Sequence, residues 1–271
     1  MLFVCPVCHG KLNISGGALV CERRHTYDRS KYGYYNLLMS NKGGNHGDNR
    51  EMCIARRDFL SLGYYEPLAD EIASLVLKYT QPGAALLDAG CGEGYYTDKI
   101  QRAISERDGD SLVYAFDISK EATRLAYKRN SSINLAVASS YDMPVPSAGV
   151  DTLINVFSPL AKEETARVIR DGGIFIFAYP NKRHLFALKE RLYDTPYENA
   201  PMDLELDGFL RVQTVRVEYT MRLASPSDVQ SLFMMTPYAY RTGERARERL
   251  ATLDSLECEA DFLIDIYRKG K

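Results

Sequence analysis

Between residues 82 and 180 the chain alternates short apolar runs with amphipathic stretches. The apolar runs at 84–89, 112–117, 133–138, 150–156 and 173–179 read as buried strands, and the stretches at 95–104, 120–129, 161–169 and 183–193 read as helices. Alternation of this kind predicts an α/β fold with a parallel, doubly wound sheet. Two later runs, at 209–219 and 261–268, are expected to close one edge of it antiparallel. Upstream, Met52, Phe59, Leu60, Leu68, Ile72, Leu75 and Val76 fall at roughly helical spacing with an interruption at 63–67, which predicts two helices leading into the sheet.

Residues 1–38 follow a different pattern, rich in Cys, Gly, Tyr and charge and too small to bury a core. A Gly/Asn-rich stretch at 40–49 reads as a linker. The expected organisation is thus a small module at 1–38, a linker and helical lead-in at 39–80, and the main domain at 81–271.

What holds the small module together is legible in its spacing. Cys5 and Cys8 enclose two residues, twelve residues follow, and Cys21 and His25 enclose three. Two short pairs joined by a hairpin suit tetrahedral Zn2+, each pair gripping the ion from a tight turn. Pro6, Gly10, Gly16 and Gly17 supply the turns. His9 competes as a ligand, but His25 closes the second pair and is preferred. Read instead as ordinary thiols, these residues leave the module with nothing to organise it. Four protein ligands close the shell, so the expected zinc is structural.

Charge and composition add less. Lys and Arg total 34 against 36 Asp and Glu, a net charge of −2, and the 45% hydrophobic content is that of an ordinary globular protein. Residues 1–47 hold six basic side chains (Lys11, Arg23, Arg24, Arg29, Lys31, Lys42) against Glu22 and Asp28, so 6 − 2 gives +4 there and −6 elsewhere. A basic module on an acidic body suits local capture of a polyanion, and equally a solvated surface. No apolar run approaches the ~18 residues needed to span a bilayer, no secretory signal opens the chain, and six cysteines in that context do not suggest disulfides. The expectation is a cytoplasmic protein with no membrane partner.

The first apolar run ends in Asp88, followed by Gly90-Cys91-Gly92-Glu93-Gly94 at the start of a helix. A dinucleotide fingerprint spaces its last glycine two residues on and faces a pyrophosphate. Here one residue intervenes and it is Glu93, which would repel a pyrophosphate but can meet the cationic methionyl end of S-adenosylmethionine. Asp117 ends the second strand, placed for both ribose hydroxyls, and Asp142 follows the third, near the adenine edge. Taken singly, the glycines are also what any tight strand-to-helix turn needs. In this order, at successive strand ends, they predict a class I (Rossmann-like) methyltransferase sheet carrying an N-terminal zinc ribbon.

These residues, with Lys31-x-Gly33-Tyr34-x-Asn36-Leu37-Leu38, Gly47-Asp48, Glu51-Met52, Ala55-Arg56-Arg57-x-Phe59-Leu60, Gly63-x-Tyr65-x-Pro67-Leu68, Tyr95-Tyr96-Thr97, residues 180–185 and Thr236-Pro237, resemble the bacterial 23S rRNA guanine-N1 methyltransferases over nearly the whole chain. The resemblance implies that Tyr65, Gly92, Glu93, Asp117 and His184 contact the cofactor. It also implies a homodimer whose zinc modules line a cleft for a 23S rRNA hairpin.

On the substrate side, Asn155 and Phe157 follow the fourth strand, where Asn155 could hydrogen-bond a base and Phe157 stack on it. A strand end with a core Phe fits the same residues. Tyr32, Tyr34 and Tyr35, interleaved with Arg29 and Lys31, fit either stacking on loop bases or the module's own core. A small-molecule methyltransferase and a zinc-ribbon adaptor on a degenerate fold are the rival readings. The basic module argues against the first, and the intact glycine loop with Asp117 against the second.

Overall fold

The computed structural model describes residues 1–39, 47–202, 204–240 and 242–270. Most of the stretch read as a linker, including Lys42, lies outside the described residues.

The N-terminal segment forms a three-stranded antiparallel sheet, β1 (Leu12–Ser15), β2 (Ala18–Cys21) and β3 (Thr26–Asp28), turned at Gly16–Gly17 where both φ angles are positive. A fourth short strand, β4 (Tyr35–Asn36), leaves this sheet and joins the main one. Two helices follow, α1 (Arg50–Ser61) and α2 (Glu66–Tyr79). Asn49 caps α1, its side chain accepting from Met52 N, and Pro67 occupies the first turn of α2, where a missing N–H costs nothing.

The main domain then runs β5 (Ala85–Ala89), α3 (Tyr95–Arg107), β6 (Leu112–Asp117), α4 (Lys120–Arg129), β7 (Asn134–Val137), β8 (Val150–Val156), α5 (Lys162–Val168), β9 (Ile169–Pro180) and α6 (Phe186–Leu192). After these come β10 (Phe209–Leu223), α7 (Pro226–Met235), a 3-10 turn at Pro237–Tyr240, α8 (Glu244–Ala251) and β11 (Leu256–Lys269). The sheet order is β10-β11-β9-β8-β5-β6-β7-β4, with β4 to β9 mutually parallel. This is the class I methyltransferase sheet.

The edge differs from expectation in one respect. Only β11 runs against the sheet; it pairs antiparallel with both β9 and β10, so β10 returns to the common direction. The helices α7 and α8, not anticipated from the sequence, pack beneath this edge through Val229, Leu232, Phe233, Ala246 and Leu250.

Apolar side chains fill both faces of the sheet. One face, under α1, α2, α3 and the C-terminal helices, holds Leu68, Ile72, Ile100 and Phe262. The other holds Leu87, Tyr114, Phe116 and Phe175, and it is closed by the N-terminal segment, whose Phe3, Leu12 and Leu19 belong to the same cluster. Phe3 meets the Tyr114 ring edge-on at 5.3 Å. Too small to bury its own apolar residues, the segment buries them against the sheet. Backbone bonds fix the junction: Val4 N to Pro144 O at 2.8 Å and Leu37 N to Val137 O at 2.9 Å.

Candidate cofactor cavity and metal centre

Cys5, Cys8, Cys21 and His25 bring their ligand atoms within 4.8 Å of one another. Cys8 and Cys21 Sγ are 3.7 Å apart, and His25 Nδ1 lies 3.4 Å from the Sγ of both Cys5 and Cys21. Zinc bonds of ~2.3 Å to sulfur and ~2.0 Å to nitrogen place tetrahedral ligands ~3.8 and ~3.5 Å apart, so the set fits one ion. Turn geometry makes this possible, since Cys5 N and Cys5 O bond Gly10 O and His9 N. Tyr27 Oη sits 3.1 Å from Cys5 Sγ, supporting it from outside the set. His9 is not in the cluster.

At the carboxyl ends of β5, β6 and β8 opens a cavity of about 600 Å3. Its floor is the loop after β5, which three interactions hold in shape. Gly90 N and Cys91 N both donate to Phe116 O at 2.9 Å, and Gly92 N donates to Asp117 Oδ2 at 2.9 Å. Asp117 Oδ1 accepts from Ser119 N at 2.8 Å, so this carboxylate ties the ends of β6 and the glycine loop together. Gly90 has φ +85, and a Cβ there would lie 1.9 Å from Ser158 Oγ: the loop after β8 docks on its bare Cα. Gly94, also at φ +85, caps α3 and lets Ala126 approach; it serves packing and does not line the cavity.

The cavity's electrostatics are unusual for their burial. Asp88 is fully enclosed, with Thr97 Oγ1 donating to its Oδ2 at 2.6 Å, and burial pushes its carboxyl up to about 7. Glu93, its side chain 1% exposed, is held by Arg129 at 2.6 Å; burial still leaves its pKa above the usual range. Burial likewise raises Asp117. Among the described residues, three buried oxygens lack a partner, Asp88 Oδ1, Glu93 Oε1 and Tyr96 Oη, and all three belong to side chains that line this cavity. Buried polar atoms without a partner cost free energy, and three of them on one cavity suit a polar, positively charged ligand.

The opposite wall is aromatic. Tyr65, preceding α2, places its hydroxyl 3.2 Å from His184 Nε2. His184 lies in the turn before α6, not within a helix, and Asp261 N donates to its Nδ1 at 3.4 Å, which leaves the ring proton on Nε2 toward Tyr65. Burial depresses its pKa to about 3. It is therefore a neutral hydrogen-bond donor, with little capacity to act as a base.

Tyr65, Asp88, Gly90, Gly92, Glu93, Asp117, His184 and Phe157 all line the cavity. Besides Gly94, two expected residues do not. Asp142 is exposed and turned out, because residues 139–142 close a tight turn (Asp142 N to Ser139 O, 3.2 Å) that presents Ser139, Ser140 and Tyr141 instead. Asn155 is buried and bonds its own loop, Oδ1 accepting from Ser158 N at 3.2 Å and Nδ2 donating to Pro159 O at 3.4 Å. Its role is to shape the turn that exposes Phe157, which is 42% exposed with φ +57, a strained backbone for an aromatic residue. Of the tyrosines, Tyr35 is buried in the sheet cluster, whereas Tyr32 lies under Lys31 and Arg124. Asp48, Arg56 and Tyr96 also line the cavity without having been singled out by role, although all three lie in the quoted motifs.

Known proteins resemble this chain in both its ribbon and its main domain. Residues 3–42 match the family model described as "RlmA, N-terminal", a zinc ribbon, and residues 86–173 match a "Methyltransferase domain" model. A putative 23S rRNA (guanine-N1)-methyltransferase of Bacillus subtilis is 28% identical over 98% of this chain and 95% of its own length. One from Micromonospora griseorubida is 32% identical over 69% of this chain and 68% of its own length. The 23S rRNA (guanine(748)-N1)-methyltransferase of Streptomyces fradiae is 31% identical over 69% of this chain and 66% of its own length.

Proposed function

The chain belongs to the 23S rRNA (guanine-N1)-methyltransferases, a zinc-ribbon family of S-adenosylmethionine-dependent enzymes, and on that premise we propose that it methylates N1 of a guanine in a 23S rRNA hairpin. It does so in the cytoplasm, as a homodimer. No helix among the described residues is long and apolar enough to cross a membrane.

The observation that carries this reading is where the ribbon sits. β4 pairs with β7, and the loop that follows β7 lines the cofactor cavity, so the basic module is joined to the sheet edge that carries one wall of that cavity. A small metabolite needs no such module.

The bound cofactor supplies an electrophilic methyl group on a sulfonium. Around it, Asp117 takes the ribose hydroxyls and the main chain of 139–141 the adenine edge. Asp88 and Glu93 face the positive methionyl end, and Tyr65, its hydroxyl held by the Nε2–H of neutral His184, donates a hydrogen bond from the opposite wall. The exposed Phe157 ring stacks on the target base. Since N1 of guanine carries a proton, that proton must pass to a base or to solvent, helped by a donor to O6 that stabilises the anion left behind, and neutral His184, whose one N–H faces Tyr65, is not that base.

The test changes Arg23, Arg24 and Lys31 together to Ala. Cofactor affinity should be unchanged, while binding to a 23S rRNA hairpin weakens and its logarithmic salt slope becomes shallower by up to about 3. Wild-type affinity and slope with zinc still bound would remove the ribbon as the RNA-binding surface.

A further inference from the structure

Four carboxylates line the cofactor cavity, Asp48, Asp88, Glu93 and Asp117, and among the described lining residues only Arg56 is a cation. Arg129, though close, stands behind Glu93 and is not part of the lining. The cofactor is not simply positive: beside its sulfonium and ammonium it carries an α-carboxylate. An acidic lining attracts the first two groups and repels the third.

The glycine loop can do little for that carboxylate, because four of the five amides of residues 90–94 are spent, all but Glu93 N. Gly90 N and Cys91 N serve Phe116 O, Gly92 N serves Asp117, and Gly94 N serves Cys91 O. Arg56, in α1, is differently placed. Its Nη1 lies 3.9 Å from where a Cβ on Gly92 would stand, so the guanidinium hangs over the one open glycine of the loop. Its present partner is Asp48, and the two side chains are 30% and 27% exposed. The pair is close but keeps an edge open to the cavity, from which a second carboxylate can reach the guanidinium.

We infer that Arg56 receives the α-carboxylate of the methionyl group, sharing or exchanging its hold on Asp48. A guanidinium offers two parallel donors to a carboxylate, which would also fix the direction in which the methionyl chain lies. The inference rests on S-adenosylmethionine dependence and is independent of the RNA substrate.

The test compares two ligands that differ by the carboxylate alone, S-adenosylmethionine and its decarboxylated form, titrated calorimetrically into the full chain. Wild type should prefer the carboxylated ligand by roughly 10- to 100-fold, the scale of a charge-assisted bidentate contact. Arg56→Gln should lose that preference, binding S-adenosylmethionine roughly 10- to 100-fold more weakly while the decarboxylated form changes by less than about threefold. Arg56→Lys, which keeps the charge and loses the fork, should fall between, and it reads the same preference should the Gln variant fold poorly. Asp48→Asn, which removes the competing acid, should bind S-adenosylmethionine at least as tightly as wild type. A preference that survives in both Arg56 variants overturns the inference, as does an equal loss for the two ligands. Because no step involves RNA, neither result bears on the choice of substrate.

Discussion

The zinc ribbon and the glycine loop are both tight turns, yet opposite forces hold them. In the ribbon, side chains converge on a point and the backbone follows: Cys5, Cys8, Cys21 and His25 aim inward from two turns, and the strands behind them are short and half exposed. In the glycine loop the backbone converges and side chains are excluded, since Gly90 must leave room for Ser158. The ribbon's organising energy comes from a ligand, and the loop's from burial in a sheet that would exist without it. A metal-held element should therefore fail all at once when one ligand is lost. A burial-held element should fail by degrees, according to how much space a substitution demands.

The largest effect is expected at the ribbon. Structural zinc contributes an apparent ~10–16 kcal/mol in small zinc modules near neutral pH. Cys21→Ser should leave well under one equivalent of zinc in protein purified without chelator, and should open residues 1–38 to amide exchange. Because Phe3, Leu12 and Leu19 share a cluster with Leu87, Tyr114 and Phe116, the main domain's thermal midpoint should fall as well. A full equivalent of zinc by elemental analysis, with protection in 1–38 intact, would contradict the comparison.

Next comes Gly90→Ala. The positive φ costs about 1–2 kcal/mol for any Cβ, and the collision with Ser158 adds about 1–3 kcal/mol of overpacking. Gly83, at φ +76 with open space around it, isolates the first cost, so Gly83→Ala should lose only about 1–2 kcal/mol. Urea unfolding of the two variants measures the difference; equal losses would mean that the loop after β8 does not interlock with the glycine loop.

The smallest effect concerns the charge that burial imposes. Asp88 has a folded-state pKa of about 7, above the ~3.9 of an unfolded Asp, so the folded protein holds this proton more tightly. Its contribution to stability is then fully present below pH ~4 and declines as pH rises toward 7. Asp88→Asn cannot ionise and keeps an acceptor for Thr97. The cofactor-free variant should be more stable than wild type at pH 8, on the order of 1–2 kcal/mol once relaxation trims the full shift, and the gap should close toward pH 4. Denaturation profiles that stay parallel from pH 4 to 8 would show that burial does not set this group's protonation.

Parts of this arrangement were legible beforehand for identifiable reasons. The alternation of apolar runs and amphipathic stretches marked β5 to β9 and the helices between them, because strands buried on both faces must be apolar throughout. The helices α7 and α8 escaped although Ser225, Pro226 and Asp228 form an N-terminal cap signal; α8 buries little beyond Ala246 and Leu250, so its period is faint. Asp142 and Asn155 were placed by strand position, which gives the neighbourhood of a side chain but not its direction. A turn at 139–142 and a hydrogen bond to Ser158 decided those directions.

By itself the sequence determined whatever depends on spacing along the chain: the ligand pairs of the ribbon, the glycines that admit positive φ, the acids at the ends of β5 and β6. These are local, since a few consecutive residues fix both the backbone and the chemistry. Only the tertiary structure decided what depends on elements far apart in the chain: that Tyr35–Asn36 becomes an edge strand of the main sheet, that Tyr65 meets His184 across 119 residues, and that Arg56 stands over Gly92 as the lone cation among the described lining residues. Such pairings are set by which apolar faces bury one another, a choice made among all the elements at once and written in no single stretch of residues.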